Sequence, residues 1–228
     1  MQVTASDSRA RVLPALSPEG IRWRTVGSDS VEILIDVENP EEEPTEADDL
    51  VIQSAPLGAF VPFKPVTRVA VSALAPGERR RLNVLVPRRA LAGLVLGGLQ
   101  ALFRPLRSLD WIGNLNVHFH KAPERSVEVH RALELRVPPG RKVGVGMILP
   151  RDRSQYETEV RCSDDDWQAE TMCVSTLSLL VVGPPSTVGS RAEVVVRVTR
   201  LRDGKCVPVE LTFETTDGRT DRLGCVRA

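Results

Sequence analysis

The chain has 228 residues, of which 42% are hydrophobic and 26% are charged. This composition excludes a globally disordered protein, and the length suits either one domain or two. Thirty basic and thirty acidic residues give a net charge of zero, so the chain lacks the long-range attraction to phosphate that general nucleic-acid binders use. We therefore expect no nucleic acid among its partners. Most of the basic residues are arginines, a usage typical of proteins from GC-rich bacterial genomes.

The amino-terminal residues lack the pattern of a secretory signal, because Asp7, Arg9, Arg11 and Glu19 interrupt every apolar run. The most apolar stretch, residues 90–103, is too short and too rich in glycine to span a bilayer. We therefore predict a cytoplasmic protein with no membrane span. In that reducing compartment the cysteines, which form no C-x-x-C pair, are expected to be small buried apolar residues.

Two stretches in the first half of the chain alternate apolar and polar residues with the period of a half-buried strand. They cover residues 30–38 and 79–86. The acidic run 41–49 between them is expected to be a solvated loop. The arginines at 79–81 and 88–89 lack interleaved aromatic residues, so we interpret them as a solvated face rather than a nucleic-acid site.

The middle of the chain is punctuated by prolines. Residues 50–71 contain three of them, which divide this stretch into short extended pieces typical of edge strands. Residues 88–103 are rich in Ala, Leu and Arg and end before Pro105, which predicts one short helix or a buried crossover. Two alternating runs follow, at 114–120 and 127–137, and together they predict a β-hairpin.

A Pro-Pro-Gly segment at 138–140 predicts a boundary between an N-terminal domain, residues 1–138, and a smaller C-terminal domain, residues 139–228. The C-terminal part alternates short apolar strands with turn residues, including Asp-Gly pairs at 203–204 and 217–218. Such a series predicts an all-β protein made of two immunoglobulin-like β-sandwiches. The predicted C-terminal strands are residues 142–149, 156–162, 174–182, 192–199, 206–214 and 220–226.

Two short motifs lie beside the alternating strands of the first half. They are I-D-V-E-N-P at residues 35–40 and L-A-P-G-E at residues 74–78. With these motifs the first domain resembles the bacterial immunoglobulin-like modules related to CARDB domains. The resemblance implies a β-sandwich that acts as an interaction or adhesion unit. Such modules usually lie outside the cell, and in this respect the cytoplasmic location expected here departs from the pattern.

The only three histidines, His118, His120 and His130, all fall within the predicted hairpin. The pleat of the strands places them with Glu128 on the face opposite the apolar residues. In one permitted register, His118 lies across from His130 and His120 lies across from Glu128. Alternate imidazoles on one face supply the nitrogen ligands that zinc prefers. The alternative is an ordinary polar sheet face, where His and Glu are common.

A second candidate site is the acidic turn Asp164-Asp165-Asp166, which is followed by Trp167. An exposed aromatic residue in an acidic turn is typical of a loop that contacts a partner. The alternative is a plain surface loop with a buried tryptophan, which would place the indole in the core instead.

No motif of a known catalytic class is present, because the chain contains no P-loop, dinucleotide fingerprint, nucleophile elbow or H-E-x-x-H sequence. We therefore predict a non-catalytic adaptor, assembly or interaction protein that binds another protein and needs no cofactor. Exposed sheet edges also favour a homo-oligomer. The alternative is a metal-binding protein or metal-dependent enzyme that holds zinc with His118, His120 and His130.

Overall fold

The computed structural model describes residues 12–92, 104–105, 113–150, 152, 154–174 and 177–217. Within these ranges the chain forms fifteen β-strands and one 3-10 turn, with no α-helix. The predicted all-β fold is confirmed. The turn, Arg88–Ala90, stands at the start of the predicted short helix, of which residues 93–103 lie outside the described part. No helix in the described ranges has the length and apolar character needed to cross a membrane.

Eight strands precede His130, and seven of them form two antiparallel sheets. The eight are β1 (Ala15–Val26), β2 (Ser30–Glu38), β3 (Asp48–Pro56), β4 (Lys64–Val71), β5 (Arg79–Pro87), β6 (Arg104–Pro105), β7 (Gly113–Phe119) and β8 (Ala122–Val129). Sheet I has the strand order β1-β2-β5, and sheet II has the order β4-β3-β7-β8.

Seven strands follow His130 and, with β6, form two further sheets. They are β9 (Arg131–Val137), β10 (Val143–Met147), β11 (Tyr156–Cys162), β12 (Gln168–Val174), β13 (Leu177–Gly183), β14 (Arg191–Arg200) and β15 (Cys206–Thr215). Sheet III has the order β12-β13-β10-β6, and sheet IV has the order β11-β14-β15-β9. The β6–β10 and β9–β15 pairs are parallel, whereas the other pairs of these two sheets are antiparallel.

Sheets I and II enclose a first hydrophobic cluster, which we call core 1. Strand β2 illustrates how the sequence builds it, since Val31, Ile33 and Ile35 are 0% exposed while the residues between them are half-buried. The period of two sends these side chains to one face, and full burial of each contributes about 1.5–3 kcal/mol. Leu115 and Val117 of β7 complete core 1 from sheet II.

Sheets III and IV enclose a second cluster, core 2. Val194, Val196 and Val198 of β14 are 0% exposed and alternate with more exposed residues. Phe213 of β15 is also 0% exposed. The predicted Asp-Gly turn joins β14 to β15, and Gly204 has the positive φ of +68° that suits glycine in such a turn.

Asn39 joins the two motifs on which the family resemblance rests. Its side-chain Nδ2 donates to the carbonyl oxygens of Glu43, Leu74 and Ala75 at 2.9, 3.2 and 3.1 Å. The backbone N–H of Gly77 donates to the carbonyl oxygen of Asn39 at 2.9 Å. The side chain of Asn39 therefore ties the end of β2 to the turn before β5, which explains why both motifs flank strands of sheet I.

Residues 57–60, which follow β3 of sheet II, pack in the second half of the molecule. Leu57 and Ala59 belong to core 2. The N–H of Ile148 donates to the carbonyl of Leu57 at 2.8 Å, and the N–H of Ala59 donates to the carbonyl of Ile148 at 3.0 Å. Between them, Gly58 has a φ of +153°, and a Cβ there would lie 2.0 Å from the carbonyl oxygen of Ile148. Only glycine fits this close approach.

The chain passes from sheet II to sheet IV at His130. The predicted hairpin is confirmed for β7 and β8, which pair antiparallel. Its predicted continuation to Val137 is wrong, because residues 131–137 form β9 and pair in parallel with β15. This strand lies before the predicted boundary at 138, and the division into two domains stays a prediction.

Three other expected strands differ from the structure or fall outside it. The predicted strand 174–182 is two strands, because β12 ends at Val174 and β13 begins at Leu177. The stretch 50–71 contains an edge strand, β4, but β3 is central in sheet II. The predicted strand 220–226 lies outside the described residues.

Candidate functional site

The three histidines do not form the face-to-face arrangement that the sequence suggested. Glu128 pairs with Asn116 rather than with His120, so the observed register is displaced by four residues from the expected one. At about 3.3 Å per residue this is a displacement of about 13 Å along the strand. The hairpin therefore does not adopt the permitted register in which His118 lies across from His130, and zinc binding by these histidines stays a prediction. Within the described ranges, no group of three or more His, Cys, Asp or Glu side chains is placed to hold a metal ion.

His130 lies at the junction between the two halves and is engaged through both ring nitrogens. Its Nε2 is 2.9 Å from Oε2 of Glu128, and its Nδ1 is 3.3 Å from the carbonyl oxygen of Gly58. The side chain is only 8% exposed. The hydrogen bond from His130 lowers the pKa of Glu128, and the nearby charges of His130 and Lys205 lower it further against the opposing effect of burial. Through its two ring nitrogens, His130 therefore connects Glu128 at the end of β8 to the backbone of Gly58.

A cleft of ≈ 380 Å³ opens beside this pair. Its titratable lining residues are Glu19, Glu128, His130, Lys205, Cys206 and Glu210. Cys206 is an exposed free thiol, which differs from the buried apolar role expected from the sequence. The cleft combines carboxylates from β1, β8 and β15 with the ammonium group of Lys205, and the pair Glu128–His130 lies at its wall.

A row of polar side chains follows the outer face of β7. Asn114 is 0% exposed and donates through Nδ2 to the carbonyl of Gly58 at 2.7 Å. Its Oδ1, the Oδ1 of Asn116 and the Nδ1 of His118 are buried without a hydrogen-bond partner among the described residues. Burial lowers the pKa of His118, and the charges of His120 and Arg68 lower it further, which favours the neutral imidazole. Strand β7 is therefore largely buried on both faces, and Asn114, Asn116 and His118 lie on its polar face.

The acidic turn holds its tryptophan inside the protein. Trp167 is 3% exposed and belongs to core 2, and its Nε1 donates to Oγ of Ser190 at 2.9 Å. Of the two interpretations of this turn, the structure shows the one with a buried tryptophan and not the exposed aromatic residue, because the indole fills the core and its N–H is satisfied there. Oδ1 of Asp164 accepts the backbone N–H of Asp166 at 2.9 Å, which shapes the turn. A binding role for Asp164, Asp165 and Asp166 stays a prediction.

The outer face of sheet I carries rows of paired charges. Arg81 on β5 donates through Nε and Nη2 to both carboxylate oxygens of Asp36 on β2, at 2.6 and 2.9 Å. Arg79 lies 3.0 Å from Glu38 in the next row. Opposite charges at directly facing positions stabilise an antiparallel pair modestly. The interpretation of these arginines as a solvated, paired face agrees with this arrangement.

Strand β5 has a long open edge, which was not predicted as a site from the sequence. It pairs with β2 through nine consecutive residue pairs with no shift of register. No described strand pairs with its other edge. The signal in the sequence was the uninterrupted alternation R-R-R-L-N-V-L-V between Gly77 and Pro87, which contains neither glycine nor proline.

The other three edges of the first half are irregular. Strands β1, β4 and β8 each lie at the edge of sheet I or II, and each takes part in a pairing whose register shifts. Each also contains a proline, at Pro18, Pro65 and Pro123. Prolines and bulges at edges prevent further strands from adding. Strand β5, by contrast, contains no proline before Pro87, and its pairing with β2 has no register shift.

Two solved structures to which the chain is similar share little sequence with it. No protein-family model matches the chain, and no curated protein matches it. An endo-fucoidan hydrolase of glycoside hydrolase family 107 is 11% identical over 46% of this chain and 18% of that one, with a TM-score of 0.28. An ectodomain fragment of ICAM-5 is 12% identical over 87% of this chain and 54% of that one, with a TM-score of 0.24. The description of the fold therefore rests on the sheets of this chain itself.

Proposed function

We propose that this chain is a non-catalytic interaction or assembly protein that takes up an extended segment of a protein partner at the open edge of β5. The observation that carries the proposal is the regular nine-residue pairing of β5 with β2 on one side, with no described strand on the other. An edge of this kind offers a row of backbone N–H and C=O groups to an incoming strand.

The exposed side chains along β5 support the same role. Leu85 is 63% exposed, the highest value among the large hydrophobic residues of the described part. It lies on the outer face beside Glu32 of β2. An apolar side chain next to an open edge gives a bound strand a contact to bury, in addition to its main-chain hydrogen bonds. The edge is thus both open and partly apolar.

The cytoplasmic location forms part of this proposal. Cys162 and Cys206 form no disulfide within the described part of the chain, which suits a reducing compartment. An adaptor that binds through a sheet edge is also able to pair with a second copy of itself, so self-association through β5 is included as an outcome of the experiment below.

A single substitution at the edge tests the proposal. In Leu85→Lys, an exposed apolar side chain becomes a charged one, and lysine at an edge opposes strand addition. We expect affinity purification of the tagged protein from its native host to recover a stoichiometric partner, and Leu85→Lys to lose it. Met172→Lys is the matched control, because Met172 is a 37% exposed residue on β12, away from sheet I.

The two variants separate the possible results. Retention of the partner by Leu85→Lys would exclude the β5 edge as the binding surface. Loss of the partner from both variants would indicate a nonspecific effect of the added charge. Turnover of a small substrate by the purified protein would contradict the non-catalytic class itself. If the recovered partner is a second copy of this chain, size-exclusion chromatography of the two variants will show which of them is a monomer.

A further inference from the structure

We propose that the β5 edge selects a segment with acidic residues at two alternate positions, which lie opposite Arg79 and Arg81, and an apolar residue opposite Leu85. This inference rests on the proposed function, because it names the chemistry of the partner at the same edge. It follows from how the outer-face residues of β5 are arranged and paired.

The two arginines retain binding capacity on the side away from β2. Arg81 contacts Asp36 through Nε and Nη2, and a guanidinium has five N–H donors in a planar fork. Its Nη1 group makes no contact with Asp36. Arg79 contacts Glu38 through Nε. Their side chains are 59% and 82% exposed. Each arginine is therefore able to contact a second carboxylate across the open edge.

A bound strand would extend the charge rows of sheet I. The side chain directly opposite an edge residue lies about 4.5–5.5 Å away between Cβ atoms. A carboxylate opposite Arg81 would make the row Asp36, Arg81, carboxylate, with the positive charge in the centre. A carboxylate opposite Arg79 would likewise make the row Glu38, Arg79, carboxylate. A lysine or arginine at these positions would instead lie beside a like charge, which is unfavourable.

The residues on the inner face of β5 determine which side chains the bound segment should carry at its inward positions. Val84 and Val86 belong to core 1 and Leu82 packs against it, whereas Arg80 on the same face bonds to Ser72 and Glu78. The inward side chains of an added antiparallel strand would lie beside these residues, so those opposite Leu82, Val84 and Val86 should be apolar. Strand β2 already has this pattern on the other side of β5, with Asp36 opposite Arg81, Glu38 opposite Arg79 and Ile35 opposite Leu82. A peptide copy of β2 with the change Glu32→Leu, which places an apolar residue opposite Leu85, is therefore a suitable probe.

The test measures binding of a fluorescent peptide with the sequence Ser-Val-Leu-Ile-Leu-Ile-Asp-Val-Glu, which is β2 with Glu32→Leu, to the whole protein by anisotropy. We expect the protein variant Arg79→Glu/Arg81→Glu to weaken binding by about tenfold, because two attractive pairs become repulsive. A second peptide carries Asp36→Lys and Glu38→Lys. We expect it to bind the double variant more tightly than the wild-type protein, which loss of folding could not produce.

Arg24→Glu is the matched control on the protein. Arg24 lies on the same face, is 70% exposed and is ion-paired with Glu32, but it belongs to β1 at the far side of the sheet. We expect this variant to bind the acidic peptide as the wild type does. Equal affinity of the two peptides for the wild-type protein would overturn the acidic selectivity. If Arg24→Glu weakened binding of the acidic peptide as much as the double variant does, the selectivity would also be overturned. The loss of affinity would then follow from the charge of the whole outer face and not from the β5 edge.

The two proposals fail in different ways. If Leu85→Lys loses the native partner while the peptides show no charge preference, strand addition at β5 stands and the acidic selectivity falls. If Leu85→Lys keeps the native partner, the proposed function falls, and peptide binding at β5 would be unrelated to it.

Discussion

Asn114 and Asn116 lie two residues apart on β7 and differ in what their side chains bind. In both residues the Oδ1 is buried without a hydrogen-bond partner among the described residues, but Asn114 also donates through Nδ2 to the carbonyl of Gly58 at 2.7 Å. A buried polar group that is hydrogen-bonded stabilises the fold, while an unpaired one costs free energy. The bond to Gly58 therefore offsets part of the cost of burying Asn114.

Replacement of each asparagine by leucine tests this difference, because leucine has a similar size and no polar atoms. We expect Asn114→Leu to lower the free energy of unfolding by about 1–3 kcal/mol, since it removes a donor from the buried Gly58 carbonyl. We expect Asn116→Leu to leave the free energy of unfolding unchanged or raise it by about 1 kcal/mol. Urea denaturation measures both values. Equal destabilisation by the two substitutions would contradict the assignment.

The turn of the β14–β15 hairpin contains an aspartate whose pKa is lowered by its hydrogen bonds. Asp203 in its turn accepts hydrogen bonds from Nε of Arg200 at 2.9 Å and from the backbone N–H of Lys205 at 3.2 Å. The bond from Arg200 is the main cause that lowers the pKa of Asp203 from 3.8 to about 2. The turn is therefore organised around an ionised carboxylate.

The sign of the pH dependence follows from this lowered pKa. A carboxyl whose pKa is lower in the folded state contributes stability that is fully present above about pH 4 and is lost as the pH falls toward about 2. We expect the carboxyl carbon of Asp203 to titrate by NMR with a midpoint of about 2. Arg200→Gln should move the midpoint toward 3.8. A midpoint that stays near 2 in this variant would show that Arg200 is not the cause.

The sequence predicts well those strands whose own residues determine their faces. The alternation in β2 and β5 and the Asp-Gly turn at 203–204 were predicted from the local pattern, and the structure confirms them. Strand β1 was not predicted, because Pro18 and Gly20 interrupt its pattern at the register shift between Leu16 and Ile21. A bulge of this kind breaks the period of two on which such predictions depend.

The candidate sites were harder to predict, because they depend on contacts between distant parts of the chain. Residue types alone permitted several registers for the β7–β8 hairpin, and the observed one separates His118 from His130. The burial of Trp167 depends on contacts with Ser190 and Phe213, which lie on other elements. The open edge of β5 became visible only with the order of the strands in sheet I.

At the scale of the whole molecule, the segment 57–60 joins the two cores. Its fit depends on Gly58, where an added Cβ would lie 2.0 Å from the carbonyl oxygen of Ile148 and 2.8 Å from two further backbone atoms of that residue. Backbone atoms on a paired strand end have little freedom to move away. The close approach therefore leaves no room for any side chain.

Substitution of Gly58 tests how much this contact contributes. We expect Gly58→Ala to lower the free energy of unfolding by at least about 3 kcal/mol, because it combines a steric clash with an unfavourable φ. Gly77→Ala is the control, since Gly77 has a φ of +71° but no atom within 4 Å of its added Cβ. We expect it to cost only about 1–2 kcal/mol. Equal melting temperatures of the two variants would contradict the importance of the junction contact.

The place of residues 57–60 also determines the order in which the molecule is completed during synthesis. Leu57 and Ala59 leave the ribosome with the first half of the chain, but the strands of core 2 that cover them come later, up to Phe213 of β15. Translation runs from the amino terminus, and the earlier part of a chain generally folds first. The contacts of this short apolar loop with core 2 therefore form only after the later strands, up to β15, have been synthesised.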